Sequence, residues 1–191
     1  RADISESDRK KVSVHILEVR DGNGESPLSV HLGQAISKGD RMDYAIQKAV
    51  ELGVAAITPL YTEHGDVRLK GEREAKKLAH WQAVAVSACE QCGRATVPEV
   101  KAPQSLSEWL GQRDEALRLV LHPGTPGVLE RAEHVASACV LIGPEGGLSP
   151  REVEAATAQG FAALTLGPRV LRTETAPVVA LTLLQSRFGD M

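Results

Sequence analysis

The sequence predicts an α/β domain built on a largely parallel sheet. Three observations carry that expectation. Short apolar runs alternate with longer segments whose apolar residues recur at helical spacing. Two glycine-punctuated segments, Leu141-Ile-Gly-Pro-Glu-Gly-Gly-Leu-Ser149 and Leu166-Gly-Pro-Arg-Val-Leu-Arg-Thr-Glu-Thr-Ala176, each follow an apolar run and precede a helical pattern. They therefore fall at the C-terminal ends of strands, where open α/β sheets bind ligands. Finally, the 191 residues are 42% hydrophobic but only 3% aromatic, so the core is aliphatic and alanine-rich.

The elements follow in order. Ala2–Glu6 and Val12–Val19 alternate polar and apolar residues around Ser7-Asp-Arg-Lys10, a hairpin pattern. Asp21 to Pro27 is a turn-rich break. Residues 1–27 are too few to close a β domain alone. Leu28–Ala35 opens the second unit, 28–191, as a strand. From Gly39 to Leu52, apolar residues at Met42, Ala45, Ile46, Ala49 and Val50 give a helix that ends at Gly53. Ala56–Leu60 is a buried strand, and Tyr61–Lys70 a polar, mobile segment. A long helix over Glu72–Glu90 presents Leu78, Trp81, Ala85, Ala88 and Cys89 on one face, with Trp81 a core or interface anchor. Val97–Val100 is extended. Ser105 and Glu108 form a capping-box pattern opening a helix through Trp109. Leu117–Leu121 is a strand, Val128–Ala136 a helix, and Ala138–Ile142 the strand feeding the first glycine segment. Ser149, Pro150 and Glu152 read as N-cap, N1 and N3 of a helix to Gln159. Ala162–Leu166 feeds the second segment, and Thr175–Phe188 closes the chain as a nearly all-round apolar helix, buried in a core or against another subunit.

Composition excludes several function classes. No apolar run approaches the ~18 residues of a membrane span, and Arg-Ala-Asp-Ile-Ser carries no signal-peptide core. The expectation is a soluble cytoplasmic protein. A net charge of −3 gives no global attraction to nucleic acid; any RNA must meet local basic surface at Arg9–Lys11, Arg68–Lys77 or Arg169 with Arg172. The three cysteines argue against a disulfide framework. Cys89 and Cys92 have C-x-x-C spacing but lie at a helix end, where no N-terminal dipole lowers a thiol pKa, and no second pair completes a zinc site. No metal is expected.

In the glycine segments, Gly143, Gly146, Gly147 and Gly167 are expected to allow positive φ and close backbone approach to a ligand, while Pro144 and Pro168 stiffen the turns. A Rossmann phosphate fingerprint is absent: Gly22-Asn-Gly24 precedes Pro27, and no helix follows. On residues alone, a nucleotide- or phosphate-binding α/β protein remains open; a pure RNA-binding module is disfavoured by the charge and scarce aromatics.

The two segments, with Ala88-Cys-Glu-Gln-Cys-Gly-Arg94 upstream, closely resemble the bacterial 16S ribosomal RNA uridine-N3 methyltransferases, the RsmE family of the knotted SPOUT class. The resemblance runs over nearly the whole chain. It implies a C-terminal trefoil knot, which connection rules by themselves argue against. It also implies a small N-terminal PUA-like barrel, of which residues 1–27 are a partial remnant, and a homodimer. S-adenosyl-L-methionine is the implied cofactor, held mainly by main-chain groups of three loops. Leu121, His122 and Pro123 match the first of these. Ile142, Gly143, Pro144, Glu145, Gly146 and Gly147 match the second; Leu166, Gly167 and Leu171 match the third, followed by Thr173, Thr175 and Ala176. The side chain of His122 either lines that pocket or caps its loop. The implied substrate is 16S rRNA of the small ribosomal subunit. Arg94 and Arg169, with Lys10 and Lys11, are the expected RNA contacts, Arg169 suiting phosphate. For chemistry, Arg172 is the chosen stabiliser of a uracil anion. Glu174 takes the proton or orients Arg172, and Glu145 is a second base candidate. Thr173 and Thr175 bond the uracil edge or the loop itself, and a mutual Arg172–Glu174 ion pair is the plain alternative.

Overall fold

The structure is a computed structural model that describes residues 1–19, 22, 24–122, 129 and 134–191. The hairpin forms as expected: β1 (Ala2–Ser7) pairs antiparallel with β2 (Val12–Ile16). Asp8 Oδ1 closes its turn by accepting from the backbone N–H groups of Lys10 and Lys11 at 2.7 and 2.9 Å. The hairpin forms a two-stranded sheet of its own, and Ile4, Val14 and Ile16 are exposed on it.

From residue 29 the chain alternates as predicted. In order come β3 (Ser29–Ala35), α1 (Arg41–Glu51), β4 (Ala56–Tyr61), α2 (Glu72–Cys92), β5 (Glu99–Val100), β6 (Gln104–Ser105) and α3 (Leu106–Leu110). They are followed by β7 (Leu117–Leu121), β8 (Ser137–Ile142), α4 (Pro150–Ala158), β9 (Ala162–Leu164) and α5 (Thr175–Phe188). Every pairing after the hairpin is parallel. The strand order is β5-β4-β3-β8-β7-β9, with β6 also on β4. From β3 the chain first builds outwards through β4; β8 then lies on the other side of β3. The order reverses between β3 and β8, so their C-terminal ends form a topological switch point, the place where such sheets take ligands.

Period-two alternation sorts the strands between two covered faces. Val30 and Leu32 of β3 and Val140 and Ile142 of β8 pack under α1, α2 and α5 with Met42, Ile46, Trp81 and Leu181. Leu60, Val120, Cys139 and Leu141 pack on the other face under α3 and α4 with Trp109 and Phe161. Trp109 lies so close to β3 that a Cβ on Gly33 would stand 2.6 Å from its ring, so only glycine fits there. Both expected capping boxes are complete, Ser105 with Glu108 and Ser149 with Glu152, each satisfying two orphan donors. Trp81 is 1% exposed, a core anchor.

One of these readings changes. The segment over Tyr61–Lys70 is tied down: the Arg68 guanidinium donates to the carbonyls of Thr62, Gly65 and Val67, and Tyr61 Oη donates to Leu69 O. Most of the helix expected over Val128–Ala136 lies outside the described residues, as does Pro123. Of the apolar residues of the closing helix, Leu181 and Leu184 are buried in this chain's core and Leu183 is 40% exposed. Buried among them is an unforeseen polar residue, Gln185. It accepts from Ser26 Oγ at 2.6 Å and donates to Leu52 O at 2.9 Å, clamping α5 to the linker and to the end of α1. No helix of the described residues is long and apolar enough to cross a membrane.

Candidate functional site

The site is made by a return crossing. β9 lies on the sheet edge beside β7, yet α5 packs against α1, β3 and β8. Residues 165–174 must therefore travel back across the C-terminal ends of β7 and β8. They are caught at the far side by Thr173, which is 5% exposed. Its hydroxyl donates to Gly143 O at 2.9 Å, and Gln34 Nε2, at the end of β3, donates to Thr173 Oγ1 at 3.1 Å. Gln34 is fully buried, and its Oε1 has no partner among the described residues.

Between the crossing segment and the loop after β8 lies a cleft of about 840 Å³, within the range of small-molecule sites. Most of the expected positions meet in it: Leu121 and His122, all of Ile142–Gly147, and Leu166, Gly167, Leu171, Thr173 and Ala176. Arg169, Arg172 and Glu174 line it too. Thr175 does not line it; its N–H donates to Arg172 O at 3.0 Å as the last helix begins. His122 joins the sheet by its backbone N–H to Leu164 O at 3.3 Å. Its imidazole makes no hydrogen bond among the described residues, and the loop it would cap lies outside them.

Gly147 and Gly167 adopt φ of 73° and 82°, while Gly143 and Gly146 do not take positive φ. The expectation for those two is corrected, and space explains them instead. A Cβ on Gly143 would meet Leu148 at 3.1 Å, and one on Gly146 would meet His64 at 3.2 Å. His64, unforeseen, holds that loop: its Nδ1 is 3.2 Å from both Gly146 O and Gly147 O. Carbonyls only accept, so Nδ1 carries the proton.

The charged groups divide sharply. Glu145 is engaged by Arg41 at 2.6 Å, a partner from the start of α1 that sequence reasoning did not find. Arg172 and Glu174 form no ion pair with each other among the described residues, and neither side chain has another partner there. Arg94, expected at RNA, is turned inward with its side chain only 6% exposed. It donates to Glu25 Oε2 at 2.6 Å and to the carbonyls of Val50 and Val54 at 3.0 and 2.9 Å. That arrangement joins linker, α1 and α2, and it uses up the guanidinium. Lys10 and Lys11 remain exposed at the hairpin tip.

Other titratable groups lie away from the cleft. Burial raises the Cys89 thiol, which is therefore not an activated thiolate. Among the described residues no three His, Cys, Asp or Glu side chains gather to hold a metal. On the α3 face, His31 Nε2 meets Thr58 Oγ1 at 2.7 Å, and Arg113 bridges His31 Nδ1 and Glu115, 2.8 Å away. Burial pushes the His31 imidazole down, with the Arg113 charge adding to it. Burial opposes ionisation of Glu115, but its contacts with His31 and Arg113 outweigh that and hold its carboxyl down at about 2.

Comparison with known proteins agrees with this architecture. Residues 24–185 match the family model of an RNA methyltransferase domain. The ribosomal RNA small subunit methyltransferase E of Buchnera aphidicola subsp. Schizaphis graminum is 42% identical over 192 residues, covering 100% of this chain and 78% of the relative. That of Bacillus subtilis is 32% identical, covering 95% and 75%. A putative methyltransferase from Legionella pneumophila, solved with S-adenosylmethionine bound, superposes with a TM-score of 0.95 at 45% identity, covering 100% of this chain and 79% of that one. The ribosomal RNA small subunit methyltransferase E of Neisseria gonorrhoeae, also bound to S-adenosylmethionine, gives 0.91 at 39%, with the same coverage. By its domain match and its identity to these relatives over the whole chain, the protein belongs to the RNA methyltransferase family of the ribosomal RNA small subunit methyltransferases E.

Proposed function

We propose that the protein is an S-adenosylmethionine-dependent methyltransferase that modifies N3 of a uridine in 16S rRNA of the small ribosomal subunit. The observation that carries this reading is the cleft itself. Two loops at a topological switch point are latched through Thr173 and Gly143, in a chain that superposes on relatives solved with S-adenosylmethionine. The residues suit that cofactor. The rim is largely main chain, two of its glycines sit at positive φ, and a cleft of about 840 Å³ has the room. Leu121, Ile142–Gly147, Leu166, Gly167 and Leu171 would hold it.

Bound S-adenosylmethionine supplies an electrophilic methyl group; the chain supplies position and charge. Orientation of two reactants can contribute up to about 7–11 kcal/mol. Uridine N3 carries a proton that must leave, and the resulting negative charge spreads to O2 and O4. Arg172 is assigned to those oxygens, because its guanidinium is unpartnered among the described residues on the cleft rim. Glu174 is assigned the proton. Glu145 is the weaker candidate, because Arg41 already pairs with it. Arg169 suits a phosphate.

We read residues 1–27 as part of a separate PUA-like β unit, supported by a hairpin that forms its own sheet, and residues 28–191 as the SPOUT domain. The return of 165–174 is read as the trefoil knot of that class. The exposed Leu183 on α5 supports a homodimer across that helix. Leu183→Glu should then convert the dimer to monomer in light scattering; a wild-type monomer at micromolar concentration would remove the dimer.

Calorimetry tests the core of the reading. S-adenosylhomocysteine should bind without added metal and in preference to ATP. Gly147→Val should weaken it about 5–30-fold, since an L-residue at left-handed φ costs about 1–2 kcal/mol. A Cβ there meets nothing within 4 Å, so the effect is conformational and not a clash. Preference for ATP would favour the phosphate-binding alternative, and unchanged affinity in Gly147→Val would take the loop after β8 out of the site.

A further inference from the structure

A second cavity, of about 330 Å³, adjoins the cofactor cleft and shares Arg41, Glu145 and Gly146 with it. Ile36 and Val67 give it an apolar part; Lys38, His64 and Asp66 complete its lining. Two ion pairs stand at this cavity: Arg41 with Glu145, and Lys38 with Asp66. Their side chains are 42 and 45%, and 64 and 70%, exposed. Pairs this exposed contribute little to stability. An incoming phosphate can therefore displace either carboxylate, which water then solvates.

The protein also needs such a place. Its net charge of −3 leaves RNA affinity to local cations, and Arg94 is consumed by internal carbonyls. Lys38 and Arg41 are cations beside the cleft whose present partners are easily exchanged. His64, with its proton on Nδ1 towards the loop carbonyls, keeps Nε2 available for a hydroxyl or base edge.

We propose that this second cavity holds a nucleotide of the RNA next to the methylated one, its phosphate taken by Lys38 and Arg41 and its base lying against Ile36 and Val67. The inference rests on the RNA methyltransferase reading and names an RNA subsite of that same site. Lys38 is the sharper probe, because it lines the second cavity and not the cofactor cleft.

The experiment measures methyl incorporation into small ribosomal subunits between 50 and 200 mM salt, as roughly the range over which phosphate contacts are read. S-adenosylhomocysteine calorimetry runs in parallel. Lys38→Gln should raise the KM for RNA several-fold and flatten the slope of log kcat/KM against log salt by about 0.7–0.9, one phosphate contact. Saturating kcat and S-adenosylhomocysteine affinity should be unchanged, and Lys38→Arg should restore the slope. An unaltered slope in Lys38→Gln, beside a wild type that binds cofactor and methylates RNA, overturns the subsite alone. A wild type that does neither overturns the underlying reading. Inorganic phosphate and ATP, at matched ionic strength, should inhibit no more than chloride does. Lys38-dependent inhibition by either would mark a free-anion site and overturn the RNA subsite.

Discussion

Arg172→Ala should lower kcat by about 10²–10³-fold, the usual loss when one donor to a developing oxyanion is removed. S-adenosylhomocysteine affinity should stay within about twofold, because an interaction made only in the transition state does not appear in cofactor binding. The expectation follows from the division of charges at the cleft. Arg94 is held by internal carbonyls and Arg41 faces Glu145 at the second cavity, whereas the Arg172 fork has no partner among the described residues. Lysine should recover little, since a point charge does not reproduce a planar pair of donors. The wild-type rate should rise with pH as the target loses its proton more readily. Glu174→Gln should flatten that rise if Glu174 is the base, and otherwise mimic a weakened Arg172. The measurement is methyl incorporation into small ribosomal subunits, with the modified nucleoside identified by mass. Normal turnover in Arg172→Ala ends this mechanism, and a methyl found on a ribose oxygen ends the N3 assignment.

The second large effect is on stability in acid. His31 and Arg113 hold the Glu115 carboxyl down at about 2 in the folded protein, against an ordinary 4.5. A carboxyl depressed on folding stabilises above its unfolded pKa and loses that contribution as pH falls through the folded one. Between about pH 4.5 and 2 the loss is on the order of 3 kcal/mol. His31 acts in the same direction at higher pH. Its imidazole is depressed on folding, so the unfolded chain takes up a proton first and stability declines as pH falls below 6.5. Thermal melts at pH 7, 5 and 3 should show the descent, roughly 4–8 °C of it from Glu115, about 2 kcal/mol of whose contribution is gone by pH 3. Glu115→Gln should melt lower at pH 7, because Arg113 is left buried without its anion. It should converge on wild type towards pH 2; melting curves that stay parallel throughout would contradict the assignment.

Which parts of this molecule were legible beforehand follows from the range of the forces involved. Ser149 and Glu152 act within one helical turn, so three residues of sequence are enough to read the cap and to start α4 correctly. The periodicity of Met42, Ile46 and Val50 likewise marks α1 to within two residues. The two glycine loops are local signals too, and they delivered most of the cleft. What failed was non-local. Arg94 looked like a free cation at a helix end because Glu25, Val50 and Val54, which hold it, lie elsewhere in the chain. Gly146 looked like a φ requirement; it is a space requirement imposed by His64 from another loop. Arg41 carried no signal at all, because its carboxylate partner is 104 positions away. Gln34 and Gln185 lay inside apolar patterns that gave no hint of a buried amide.

The bond between Gln34 and Thr173 also sets a timetable for the growing chain. The two residues are 139 positions apart, and Gln185 reaches Ser26 across 159. At about 5–20 residues per second of synthesis, β3 waits roughly 7–28 s for the segment that finishes its C-terminal end. During that interval the apolar surface later covered by Leu181 and Leu184 is bare, and bare surface of this kind makes nascent chains adhere to one another. The cleft thus takes shape only once Thr173, 139 residues after Gln34, has been made.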